Sequence, residues 1–301
     1  MRTLIALLAC LLTLASARAE PVEATPRIAV LSAYEPEWKA LQAVVEAPQA
    51  QTYKGVNVVL GRIEGKPVVL GLTGVSMVNA AMTTQMILDR YNVTRIVVTG
   101  VAGGVDPSLN IGDVAVPERW GEYLDMILAR ETPAGYQLPA WAERDFANFG
   151  MIFPQNVEVV RAGQDGPKPQ FWFPADEAML AVAHKAEGVA LQNCTTATVN
   201  VCLLHKPKVV VGGQGVSGSA FVDHAGFRSY VFDTFKARVL DMETAAIGHV
   251  AATNNVPYIA FRSLSDLAGG GPGENQIEIF EQLAADNSVS VMRAFLKALP
   301  D

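Results

Sequence analysis

Arg95-Ile96-Val97-Val98-Thr99-Gly100-Val101-Ala102-Gly103-Gly104 is an apolar, β-branched run that ends in closely spaced glycines. A strand with one wet face alternates apolar and polar residues, so a continuous run predicts a strand buried on both faces. Comparable Val- and Ile-rich runs occupy residues 28–32, 56–60, 67–73, 208–213 and 257–262. Between them, residues 37–46, 77–91, 176–185, 244–254 and 276–299 space their apolar positions as helices do. This alternation predicts an α/β fold: a mostly parallel, mixed central sheet flanked by helices. Its length fits a single domain over residues 20–301.

One segment breaks the pattern. Residues 120–173 are rich in Pro, Gly and aromatics, including Pro133, Pro139, Pro154, Pro167, Pro169 and Phe171-Trp172-Phe173, with little periodicity. Such a stretch reads as a long functional loop or insertion, because a disordered linker would not carry so many aromatics.

At the N-terminus, Arg2 precedes an apolar run from Leu4 to Leu14 and then Ala17-Arg18-Ala19. These are the features of a signal peptide cleaved after Ala19, and they predict a periplasmic or secreted protein. No stretch reaches the roughly 20 apolar residues of a membrane-spanning helix. Cleavage would remove Arg2 and Arg18, so the 23 basic residues fall to 21 against 30 acidic ones, a net charge of −9. That balance argues against nucleic acid as a partner. Only Cys194 and Cys202 would remain; an even count in an oxidising compartment favours a disulfide between them, with two buried thiols as the alternative.

Ligands of open α/β sheets collect beyond the carboxyl ends of strands, so polar residues that follow apolar runs are the candidates for chemistry. Four places qualify: Ala33-Tyr34-Glu35-Pro36-Glu37, Thr73-Gly74-Val75-Ser76, Asp241-Met242-Glu243 and Ser263-Leu264-Ser265-Asp266. The four histidines show no metal-ligand spacing, and no cofactor is expected. Separate carboxylates at strand ends suit acid–base hydrolysis without a metal. On local sequence alone each could equally be a helix-first-turn acid or an exposed loop residue.

Five segments, in order, resemble one family. Asp241-Met242-Glu243-Thr244-Ala245-Ala246, Phe261-Arg262-Ser263-Leu264-Ser265-Asp266, Thr99-Gly100-Val101-Ala102-Gly103-Gly104, Ser217-Gly218-Ser219-Ala220-Phe221-Val222 and Ala33-Tyr34-Glu35-Pro36-Glu37 are similar to signatures of the 5′-methylthioadenosine/S-adenosylhomocysteine nucleosidases, within the purine nucleoside phosphorylase superfamily. The resemblance implies cleavage of the N-glycosidic bond of a purine nucleoside. It implies that Asp266 protonates N7 of the base, that Glu243 accepts hydrogen bonds from the ribose 2′ and 3′ hydroxyls, and that Glu37 activates water. It further implies that Phe221 stacks on the base, Val222 offers it backbone hydrogen bonds and Met242 packs beneath the ribose. Thr73 and Ser265 would hydrogen-bond near the sugar or the water, and Arg262 would stand close to that water. Ile277 or Phe280 would line the 5′ pocket, with Tyr34 where a smaller apolar residue is usual. Homodimers are the rule among such nucleosidases.

Water and phosphate are competing nucleophiles in this superfamily. A phosphorylase needs a nest of cations and donors, whereas the loop at 33–37 is acidic and residues 73–77 carry no Arg. Hydrolysis is therefore expected, with phosphorolysis and a catalytically idle binding or storage protein as the alternatives.

Overall fold

A computed structural model describes residues 23–161, 163–196, 200–271 and 273–300. The signal peptide expected at residues 1–19 lies outside the described residues. Chain order is β1 (Glu23–Ser32), α1 (Glu35–Gln42), β2 (Glu46–Tyr53), β3 (Val56–Ile63), β4 (Lys66–Leu72), α2 (Met77–Arg90), β5 (Tyr91–Gly104), β6 (Val114–Val116) and β7 (Arg119–Glu122). There follow β8 (Trp172–Pro174), α3 (Glu177–Ala183), β9 (Val209–Val211), β10 (Gln214–Ser217), α4 (Ala225–Phe235), β11 (Ala237–Asp241), α5 (Thr244–Asn254), β12 (Tyr258–Asp266) and α6 (Ile277–Ala298).

These twelve strands form one mixed sheet, ordered β8-β7-β10-β11-β5-β1-β4-β3-β2, with β12 pairing β5 and β6, and β9 pairing β6. Strand β5 organises it. It runs parallel to β1 along its first half and parallel to β12 from Ile96 to Gly103, and it meets β11 antiparallel at Gly103 and Gly104. The apolar run at 95–98 is continuous because both faces are covered. Val97 packs with Val30, Phe261 and the α6 residues Met292 and Phe295 on one side. Its neighbours Ile96 and Val98 pack with Ala29, Leu31, the α2 residue Ile87 and the α5 residue Ile247 on the other. Strand β12 is buried at all nine positions, polar ones included.

The stretch at 120–173 differs from the loop its composition suggests. Its ends, Trp120 and Phe173, are fully buried and pair with each other across β7 and β8. Between them run three short antiparallel ladders: Met126–Leu128 with Ile152–Pro154, Arg130–Thr132 with Gly135–Gln137, and Val157–Val159 with Lys168–Gln170. Three-residue strands are too short to print a period on the sequence, which is why the segment reads as irregular. Several of its aromatics fold inward: Phe146 and Phe171 pack on Phe235, and Phe149 meets Phe227 and Tyr230 of α4, while Tyr136 and Trp141 are exposed. Cys194 and Cys202 are joined by a disulfide.

Candidate active site

The ends of β1, β4, β10, β11 and β12 open toward one cavity of about 170 Å³. Tyr34, Glu37, Val75, Phe221, Val222, Met242, Glu243, Ser265, Asp266 and Ile277 line it, together with Val101, Ala102 and Gly103 at the end of β5. Residues from opposite ends of the chain meet here because sheet order, not sequence order, sets their neighbours.

Glu37 enters from the first turn of α1 and is buried. One oxygen, Oε2, accepts from the backbone N–H of Ala33 at 2.6 Å and of Tyr34 at 3.3 Å. The other accepts from the Val101 N–H at 2.8 Å and from Nη1 of Arg262 at 3.3 Å. Every partner is a donor, which suits an ionised carboxylate. Burial nevertheless pushes its pKa above the ordinary carboxylate value, against the opposing pull of Arg262 and the three N–H groups. The approach is close enough that a side chain at Gly100 would collide with both the Glu37 carboxylate and the Arg262 guanidinium.

Arg262 lies in the middle of buried β12. A charge there is tolerable only if paired, and three carboxylates converge on it. Nε is 2.7 Å from Asp241, Nη1 is 3.3 Å from Glu37 and Nη2 is 3.2 Å from Glu243. Asp241 is anchored in turn by the hydroxyls of Ser217 and Thr244. Arg262 therefore stands behind the acids and does not itself line the cavity.

Glu243 precedes α5 and accepts from the Ser76 N–H at 2.9 Å. Ser76 has φ +86°, a costly conformation for a residue with a side chain, and it aims that N–H at the carboxylate. Burial pushes Glu243 up to about 7, opposed by Arg262 and assisted by the like charges of Asp241 and Glu37. Asp266 ends β12, also buried. It accepts from the Ala268 N–H at 2.8 Å and the Ser265 hydroxyl at 3.0 Å, with the Asn275 amide at 3.5 Å. Burial pushes its pKa upward against those hydrogen bonds.

Two residues fall elsewhere. Thr73 is buried and turns its hydroxyl to the carbonyls of Ser32 and Gly74, away from the cavity. Phe280 packs with Ile111, Leu203 and Leu283, so Ile277 alone of that pair reaches the cavity. Phe221 lies at the mouth, 57% exposed, while Val222 is buried. Asp241 and the Ser76 N–H received no role from sequence. The signal for Asp241 was present: an arginine inside an apolar strand demands nearby counter-charges.

A family model described as "Phosphorylase superfamily" matches residues 27–297. A 5′-methylthioadenosine/S-adenosylhomocysteine nucleosidase from Bacillus thuringiensis (strain Al Hakam) is 28% identical over 268 residues, covering 89% of this chain and 97% of that protein. Among solved structures, the nucleosidase of that name from Colwellia psychrerythraea 34H, in complex with adenine, aligns with a TM-score of 0.67 at 25% identity, over 93% of this chain and 97% of its own. The corresponding enzyme from Neisseria meningitidis, with methylthio-immucillin-A bound, shares the fold at a TM-score of 0.67 and 24% identity, over 91% of this chain and 99% of its own. With the match spanning nearly the whole chain, from β1 to the end of α6, this protein belongs to the phosphorylase superfamily.

Proposed function

We propose that this protein hydrolyses the N-glycosidic bond of a purine nucleoside, in the class of methylthioadenosine, S-adenosylhomocysteine and related nucleosides. The observation that carries this is the convergence of Glu37, Glu243 and Asp266 on one cavity whose lining, among the described residues, includes no Lys, Arg or His. Its relatives of similar length are nucleosidases by name.

In this reading Asp266, whose pKa burial raises, donates a proton to N7 of the base. The bond from C1′ to N9 breaks and its electron pair leaves with the purine. Positive charge develops on the sugar, and Glu243, bound to the 2′ and 3′ hydroxyls, stabilises it. Glu37 accepts a proton from water as the water oxygen bonds to C1′. Phe221 and Val222 flank the base and Met242 the ribose, while Ser265 acts by holding Asp266. Products are the free base and the free sugar.

Phosphate is the rival nucleophile. It would need free cationic groups, and the buried Arg262 is already matched by three carboxylates. Release of purine is therefore expected to proceed at the same rate in phosphate-free buffer and in excess phosphate, with the free sugar, its 5′ substituent intact, as co-product. An absolute requirement for phosphate, with the sugar 1-phosphate formed, would reverse the assignment.

A further inference from the structure

We propose that a hydroxyl bond between Ser76 and Ser219 holds Ser76 in a backbone conformation costly for serine, so that its N–H orients the Glu243 carboxylate. Ser76 and Ser219 are then positioning residues, and what they do for turnover rests on the hydrolytic reading above.

The turn between β4 and α2 contains two residues of positive φ. Gly74, at φ +80°, has no Cβ to oppose it. Ser76, at φ +86° and ψ 160°, lies in a region that is almost exclusively glycine's. Such a conformation persists only where its surroundings over-determine it, and functional sites are where these outliers gather. Three contacts converge on Ser76. Its carbonyl accepts from the Ala80 N–H at 3.0 Å, its N–H donates to Oε1 of Glu243 at 2.9 Å, and its hydroxyl donates to that of Ser219 at 2.8 Å. A glycine could make the first two without strain, so the hydroxyl bond is what serine adds.

Ser219 is the fixed end of that bond. It sits at the centre of a tight turn closed by the Ala220 N–H on the Gly218 carbonyl at 2.7 Å. Two residues earlier, the Ser217 hydroxyl is tied to Asp241 and to the Ala245 N–H. Two residues later the chain reaches Phe221 and Val222 of the cavity wall. The hydroxyl bond therefore joins the segment that directs Glu243 to the segment that supplies Phe221 and Val222.

Ser219 is exposed, and one neutral bond open to water is too weak to hold Ser76 by itself. It adds to the bond on the Glu243 carboxylate, which charge makes roughly twice as strong as a neutral one. Together they offset the strain, and loss of either lets the backbone relax. Glu243 depends on this arrangement, since Ser76 serves Oε1 and Nη2 of Arg262 serves Oε2. Withdrawing the N–H would leave Arg262 to oppose burial and the like charges of Asp241 and Glu37, and the Glu243 pKa would rise above about 7.

The test follows kcat/KM for 5′-methylthioadenosine, and the melting temperature, against pH in wild type, Ser219→Ala, Ser76→Ala and the double variant Ser76→Gly/Ser219→Ala. Each alanine variant is expected to lose about tenfold in kcat/KM at neutral pH, the scale of one misplaced hydrogen bond to a charged group. In both, the acid limb of the rate profile and the fall in melting temperature due to Glu243 should move to higher pH. Glycine at 76 keeps the conformation without the hydroxyl, so the double variant should recover most of the rate and the wild-type profiles. A merely structural loss would lower the rate without moving either profile, and glycine would not repair it. Profiles unmoved in both alanine variants, or a double variant no better than Ser219→Ala, would overturn the proposal. A wild type that released no purine would remove the hydrolytic reading, and the melting profiles would still decide whether Ser76 directs Glu243.

Discussion

Glu243 gives the site a pH signature. Burial raises its pKa from 4.5 to about 7, so the folded protein holds a proton that the unfolded chain releases earlier. Stability from this group is full below about 4.5 and is lost as pH rises through about 7. In the ligand-free protein, the melting temperature is therefore expected to fall across that window. Glu243→Gln, which cannot ionise, should flatten the decline; an equal slope in wild type and variant would contradict the assignment. At this scale much of the site was legible. Glu37, Glu243 and Asp266 stand directly after apolar runs, and all three reach the cavity. Thr73 stands in the same kind of place yet turns inward, because its hydroxyl finds the Ser32 and Gly74 carbonyls. Side-chain direction at a strand end depends on such local partners, which spacing does not reveal.

Among the elements, β5 does most to position the chemistry. Glu37 and Arg262 meet beside its later residues, and Gly100 leaves room for both. Gly100→Ala would push a methyl group between them, so loss of most activity and a destabilisation of about 1–3 kcal/mol, the usual cost of overpacking, are expected in assay and thermal melt. Full activity would show that the buried pair shifts freely. Elements with strong periods were readable close to their bounds: 244–254 is α5, and 276–299 is α6 to within one residue at each end. Others left little trace. Strand β2 is exposed along nearly its whole length and contains Pro48, so it lies at the sheet edge without an alternating pattern. The helical spacing read at 37–46 accordingly runs past the end of α1 at Gln42 and into the start of β2. Helix α4 buries only Val231 and Phe235, too few apolar positions to announce a helical stripe. The ladders within 120–173 escaped for their shortness.

Across the whole molecule, the sheet gathers carboxylates more than 200 residues apart in sequence onto one cavity, and the helices on both faces keep water from the strands beneath them. The alternation of runs and helical stretches foretold this layered arrangement. It foretold a mixed sheet but not which strands pair antiparallel, since β6, β7, β8 and β10 are short and their pairing joins distant segments. What the assembled fold supplies to the chemistry is burial, and burial shifts the pKa of Asp266 upward, the direction a general acid needs. The central claim is that Asp266 delivers the proton on which departure of the base depends. Measuring purine release and nucleoside binding side by side in wild type and Asp266→Asn tests it most directly. The expected result is turnover reduced at least about a hundredfold, the lower end for a general acid, with nucleoside affinity within a fewfold of wild type. Turnover unchanged in Asp266→Asn would contradict the account.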